Sequence, residues 1–438
     1  MLAVAQKGMP MTIVRAGLIA LCLVLQGVSA PAPAEAAPAA QDNAPVRIDR
    51  VRIQHALEEM VASGRAAGVS ALVWQDGRER FFGRAGFADR EAKRPMARDT
   101  LVQIWSMTKP VTGVALMQLW EAGRFKLDDP VADYLPEFRN MRVIEGGTAE
   151  APRYRPASRP ITVRDILRHT AGLGYGMRES AADAEYRRAD ALNLQNDLAE
   201  ASRRIAGVPL LFDPGTEWSY SSAVDVQAAL VEKISGDPFE SYVKTHILGP
   251  LRMRETGWTQ PEDAFARLAA TYRRADGAPL SRQPDADTRR MNFAPRRLTM
   301  GGAGLVSSID DYMRFARMLL GGGTLDGARI LKGSTVRLMA TDHLDPAVKE
   351  RHFLPSKGAV GFGFNFAVRT APPQTPDENR GAVGEYFWDG AASTLFWVDP
   401  ANRMAVVFFV QTMPFDGSLH HDIRDAVYGP SYLGPKGD

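Results

Sequence analysis

Strand-forming sequence in this 438-residue chain gathers near its two ends, and that distribution constrains the fold more than any other feature. Near the amino end Val69 to Trp74 is apolar, Asp76-Gly77 is a strong two-residue hairpin turn, and Arg78 to Phe87 can return antiparallel. Far downstream, Gly361 to Val368, Thr394 to Val398 and Met404 to Val410 are apolar runs, the last two separated by the turn Asp399-Pro400-Ala401-Asn402, as in an antiparallel meander. Arg47 to Ser63 carries apolar residues at near-helical spacing before a stop at Gly64, and Leu419 to Tyr428 reads as a closing helix. Between about Asp128 and Arg290 lie helical segments and polar, Pro- and Arg-rich loops such as Glu145 to Pro160, with little period-two alternation. The expectation is therefore an α/β fold whose antiparallel sheet is built from both chain ends and flanked by helices. Residues 47–127 and 291–438 form that α/β part and 128–290 a mostly helical inserted lobe, together one catalytic domain over 47–438.

The first forty residues differ in character. Lys7 and Arg15 precede the apolar run Ala16 to Leu25, and small residues and prolines follow, the layout of a secretory leader over 1–36 with a linker over 37–46. Export to the periplasm or medium is expected. The apolar run is short for a bilayer, where ~20 residues are wanted, so no stable membrane span is expected after cleavage. Cys22, the only cysteine, lies in that run, so the mature chain is expected to lack disulfides, thiol nucleophiles and zinc-thiolate sites. The 53 basic and 51 acidic side chains are interspersed rather than blocked, which gives no reason to expect nucleic acid.

A serine three residues before a lysine suits acyl transfer, because the two share a helix face and the amine can take the hydroxyl proton. Chance matches are expected in a chain this long, and two occur, Ser106 with Lys109 and Ser241 with Lys244. Ser241 follows Asp237-Pro238, a helix-cap pair, and shares its helix with the apolar Phe239, Val243 and Ile247, so it reads as a solvated surface pair. Ser106 instead follows the extended run Leu101 to Ile104 and starts a helix that contains Pro110 in its first turn and stops at Ala122-Gly123. Its hydroxyl then stands at a helix N-terminus, where backbone N–H groups favour developing negative charge.

Three phrases in order complete a pattern: Ser106-Met107-Thr108-Lys109, Phe212 to Ser222 (FDPGTEWSYSS) and Trp388-Asp389-Gly390. Their order and spacing resemble the active-site motifs of the serine β-lactamase-like superfamily, which holds class C β-lactamases, D-Ala-D-Ala carboxypeptidases and the β-lactamase-fold esterases. Arg164 to Gly172 (RDILRHTAG) and Gly301 to Leu319 (GGAGLVSSIDDYMRFARML) look like the same group, and the likeness covers roughly residues 48 to 428. The resemblance implies Ser106 as the acylated nucleophile, Lys109 and Tyr220 as acid/base groups, and the backbone N–H groups of Ser106 and Ala391 as an oxyanion hole. It also implies substrate contacts from Ser222, Trp388, Asp389 and Gly390. How Lys109 and Tyr220 share the proton is left open; a phenol near pKa ~10 is a usable base only beside a cation.

Two departures bear on substrate. Ser222 replaces the asparagine of Tyr-x-Asn, and Trp388-Asp389 replace the lysine and threonine of Lys-Thr-Gly, removing the cation that holds a β-lactam or peptide carboxylate. An ionised Asp389 near that place would repel one, leaving Arg296 or Arg297 as substitute cations. The likeness is therefore nearest to the esterases. No metal and no cofactor are expected; Gly301 to Gly304 and Gly321 to Gly323 read as turns, and His169, His420 and His421 as structural or surface groups. The expected activity is ester hydrolysis through acyl-Ser106 on a small-molecule ester or lactam-like substrate. The alternatives are a β-lactamase, a D-amino-acid peptidase or an acyltransferase of the same fold, and, from a different class, a noncatalytic penicillin-binding-like protein. The oligomeric state is not readable.

Overall fold

The computed structural model describes residues 46–148, 151–177, 181–275 and 278–432. The expected leader over 1–36, and all of the linker except Val46, lie outside the described residues. Helix α1, Arg50–Ala62, starts three residues later than the periodicity predicts, because Asp49 takes the cap position and accepts from the N–H groups of Val51 and Arg52. Strands β1 (Gly68–Gln75) and β2 (Arg78–Asp89) form the expected hairpin, with Asp76 at φ 51° and Gly77 at φ 78°. Both central residues of the tight turn need that left-handed backbone.

The sheet has eight antiparallel strands, and its far half comes from the C-terminal end of the chain. Beside β1, β2 and the short β3 (Arg94–Pro95), it holds the C-terminal strands β4 (Val360–Phe362), β5 (Ala367–Arg369), β6 (Tyr386–Asp389), β7 (Leu395–Asp399) and β8 (Met404–Val410), in the spatial order β4-β5-β6-β7-β8-β1-β2-β3. The two ends of the chain meet at β1 and β8, in register from Val69 opposite Val410 to Gln75 opposite Met404. All seven residues of β8 are buried, so helices must cover both faces. Helix α1 packs on β1 and β2 and against the last helix Gly417–Tyr428, while the helix Ile309–Leu320 lies across β1, β7 and β8.

Two expectations need correction. Gly361 to Val368 is a hairpin rather than one strand: Asn365 turns at φ 63°, and a Cβ on Gly363 would sit 2.0 Å from the Met339 carbonyl. The middle block contains a β-hairpin, Arg142–Gly147 with Pro152–Pro156, in the stretch expected to be loop. Its strands are largely solvated on both faces, so no apolar alternation announces them. The block also holds the helices Val163–Leu167, Ala181–Ala189, Leu198–Gly207, Ala223–Ser235 and Phe239–Val243, and a second short strand pair, Tyr272–Arg273 with Ser281–Arg282.

Because β8 is enclosed on both faces, Phe408→Ala should lower unfolding free energy by about 3–5 kcal/mol in urea denaturation, the range for emptying a buried aromatic site. Val51→Ser, at a residue 79% exposed on α1, should change it by less than about 0.5 kcal/mol.

Candidate functional site

The segment before Ser106 and the segment after Gly302 are far apart in sequence and adjacent in space. Leu101–Gln103 pairs antiparallel with Val306–Ser308, and the Ile104 N–H continues the ladder to the Leu305 carbonyl at 3.0 Å. The chain then leaves the ladder through Trp105, a non-glycine residue in the left-handed region at φ 49°. That conformation costs energy and is held by the packing around it. Ser106 follows in a single 3₁₀ turn, Trp105–Met107, which runs into helix α2, Thr108–Glu121.

Helix α2 is buried almost all round, and its first turns grip the loop that the ladder delivers. The Thr108 hydroxyl accepts from Leu305 N–H at 3.3 Å, Thr112 donates to the Gly301 carbonyl at 2.7 Å, and Lys109 Nζ donates to the Gly302 carbonyl at 2.7 Å. The same Nζ lies 3.2 Å from Ser106 Oγ. Burial disfavours the ammonium and pulls the Lys109 pKa down to about 7, against the opposing pull of the carboxylates of Asp225 and Asp389. The helix Ala223–Ser235 packs along α2 and brings up Asp225, whose Oδ1 accepts from Gly302 N–H at 3.1 Å. A Cβ on Gly302 would meet the Tyr175 hydroxyl at 2.8 Å, Asp225 Oδ2 at 3.0 Å and Lys109 Nζ at 3.2 Å, so a side chain there would push apart the groups that converge on it.

Tyr220 reaches the site from the loop that the sequence marks by its Asp-Pro-Gly turn. Neighbouring backbone anchors it: Trp218 N–H donates to the Glu350 carbonyl at 2.9 Å and Ser219 N–H to the His169 carbonyl at 3.0 Å. Its ring packs 5.2 Å from His169, 5.4 Å from Tyr175 and 5.4 Å from Trp388 between centroids, with Lys109 Nζ 4.6 Å above its face. Burial raises the phenol pKa, and a hydrogen bond with Ser106 only partly opposes this. Burial thus dominates, and the shift favours the protonated phenol.

The third phrase closes the opposite wall. A Cβ on Gly390 would collide with Thr394 Oγ1 at 2.2 Å and the Ile104 carbonyl at 2.6 Å. Glycine there lets the end of β6 lie against the strand that leads to Ser106, and Ala391 follows on the cleft surface. The resulting cavity, about 430 Å³, is lined by Ser106, Tyr175, Met177, Leu211, Tyr220, Phe353, Asp389, Gly390, Ala391 and Phe415 among others. Ser106, Tyr220, Asp389, Gly390 and Ala391 thus converge on one cleft, with Lys109 directly beneath.

Two expected contacts lie elsewhere. The Ser222 hydroxyl is buried and donates to the Gly174 carbonyl at 3.1 Å, holding a loop rather than facing the cleft. Trp388 is buried and backs Tyr220 instead of lining the wall. His169 and His420 are the buried, structural kind of the two expected: His169 packs behind Tyr220 with Nδ1 3.0 Å from Ser221 Oγ, and His420 Nδ1 is 3.9 Å from Asp389 Oδ2. Ser241 and Lys244 are exposed on the helix Phe239–Val243 and its continuation, as expected, although the first N–H there is capped by Glu232 Oε1 at 2.8 Å and not by Asp237.

Asp389 does not stand as a lone negative charge. Lys357, from the turn Leu354–Lys357, is buried against it in a short ion pair, so the repulsion expected of Asp389 is offset. Sequence reasoning missed Lys357, Asp225 and Tyr175. An aspartate inside an apolar strand was the available signal, since a buried carboxylate demands a cation from somewhere. Arg296 pairs with Glu240 and Arg297 with Asp197, and neither belongs to the cleft lining. No lysine or arginine occurs among the described lining residues.

Comparison with known proteins agrees with this geometry. The family model described as Beta-lactamase matches residues 53–428. Protein Rv1367c of Mycobacterium tuberculosis is 35% identical over 379 residues, covering 86% of this chain and 92% of its own length. Esterase EstB of Burkholderia gladioli is 31% identical over 399 residues, covering 86% of this chain and 94% of that protein. Among solved structures, EstCE1, described as a hydrolase with promiscuous acyltransferase activity, superposes with a TM-score of 0.72 at 28% identity, covering 86% of this chain and 98% of that one.

Removing one partner of the Lys357–Asp389 pair strands a buried charge. Lys357→Met should therefore lower unfolding free energy by about 3–5 kcal/mol in chemical denaturation, and adding Asp389→Asn should recover part of that loss rather than add to it.

Proposed function

The chain belongs to the β-lactamase family, and on that premise we propose that it hydrolyses uncharged carboxylic esters through an acyl-Ser106 intermediate. The observation that carries this reading is Lys109: a buried amine, pKa about 7, 3.2 Å from a serine hydroxyl at the floor of a cleft. Neutral Lys109 takes the Ser106 proton as Oγ attacks the ester carbonyl carbon. The oxyanion faces the backbone N–H groups of Ser106 and Ala391. Tyr220, which keeps its phenolic proton, donates it to the leaving alkoxide and regains one from Lys109. Water then enters by the same route in reverse and releases the acid.

The absence of lysine and arginine from the described cleft lining favours neutral substrates over anionic lactams and peptides. The likeness to Esterase EstB supports the ester reading. Discharge of the acyl-enzyme to an alcohol is a second outcome of the same chemistry, supported by the acyltransferase activity described for EstCE1. Export through the leader over 1–36 is part of this proposal and rests on the sequence pattern.

Turnover of p-nitrophenyl butyrate beside benzylpenicillin is the direct test. The expected kcat/KM is at least about a hundredfold higher for the ester, with the acyl mass on Ser106 and turnover abolished in Ser106→Ala. Preference for benzylpenicillin over every neutral ester would refute the proposal. The pH profile follows from the sign of the Lys109 shift: below about 7 the ammonium cannot accept a proton, so log kcat/KM should climb with unit slope toward pH 7 and level off above it. A Lys109→Ala protein that keeps the same inflection would remove the amine from this role.

A further inference from the structure

Large apolar side chains on a protein surface are ordinarily scattered, and a cluster marks a place where something apolar sits. Five are exposed among the described residues, and three of them, Met177 (70%), Phe353 (38%) and Phe415 (36%), line the cavity that contains Ser106. They come from three separate segments, so chain proximity does not explain the convergence. Two of them are fixed in place: Lys357 Nζ lies 4.7 Å from the ring centroid of Phe353 and 4.1 Å from that of Phe415, and Asp389 anchors the ammonium. A cation held against two rings orders them before any ligand arrives. Inward from the rim Leu211 and the rings of Tyr175 and Tyr220 continue the apolar surface, beside the polar Asp183, Ser219, His352 and Asp389. At about 430 Å³ the cavity falls in the range that encloses a drug-sized ligand, well beyond the needs of an acetyl group.

We propose that the substrate of this site is an ester carrying an apolar chain longer than butyl, on its acyl or its alcohol side, which lies over a rim made by Met177, Phe353 and Phe415. The proposal rests on the ester reading above and adds the substrate class. A chain that covers the rim removes its own methylenes and the rings from water together, which gives about three- to fourfold in kcat/KM for each methylene buried.

Two series test this, each held below its aggregation concentration: p-nitrophenyl esters from acetate to decanoate, and acetate esters of ethanol to decanol. The expected result is a rise of about three- to fourfold per methylene beyond four carbons in one series, which also identifies the side that carries the chain. Met177→Ser and Phe415→Ser should flatten that slope, Met177 being exposed enough for its replacement to leave folding intact. Turnover of acetate with a flat or falling profile in both series overturns this proposal and leaves the ester reading standing. A rising profile that both variants preserve overturns the rim assignment, and failure to turn over any ester overturns both readings.

Discussion

The contact on which the rest of the site depends is that of Lys109 Nζ with the Gly302 carbonyl. An amine buried at the start of α2 is costly to keep charged, and the protein offers it a carbonyl at 2.7 Å and a serine hydroxyl at 3.2 Å rather than a carboxylate in direct contact. Asp225 acts at one remove, on the N–H of the same glycine. A directly paired carboxylate would stabilise the ammonium and raise its pKa, making a poor base. Placing the peptide of Gly302 between them lets the carboxylate position the loop while burial still pulls the lysine down to about 7.

Much of this was legible in the sequence. The hairpin at Asp76-Gly77 and the apolar runs near 400 are local signals, and they specify a sheet built from both ends because no other strands of comparable strength exist to complete it. Ser106 and Lys109 were separable from Ser241 and Lys244 by what precedes each: an extended run delivers a hydroxyl to a helix start, whereas a helix surface leaves it in solvent. The three phrases meet at one cleft, and the contacts a Cβ at Gly390 would make explain physically why the third holds glycine.

What stayed hidden has a common cause: it depends on pairings between distant segments that carry no periodicity. The hairpin Arg142–Gly147 with Pro152–Pro156 is solvated, so no apolar alternation marks it. Lys357 is an ordinary lysine in a loop until the fold sets it beside Asp389. Ser222 and Trp388 were placed in the cleft by their motif positions, but the side chains turn to the Gly174 carbonyl and to the back of Tyr220. A motif position fixes where the backbone passes, and packing decides which way a side chain faces.

Two ionisable residues of the described cleft lining have partners of opposite kind. Asp389 meets Lys357, and His352 meets Glu217 at 2.7 Å. This matters to the base as well as to specificity. An uncompensated Asp389 would act on Lys109 as a stabilising counter-charge, since its carboxylate already works in that direction. Lys357 pairs with that carboxylate, and its ammonium lies against the rings of Phe353 and Phe415. One lysine thus meets the buried aspartate at the end of β6 and lies against two rings of the cleft lining. Where the related motif carries Lys-Thr this chain carries Trp388-Asp389, and the buried Asp389 is met by a lysine remote in sequence.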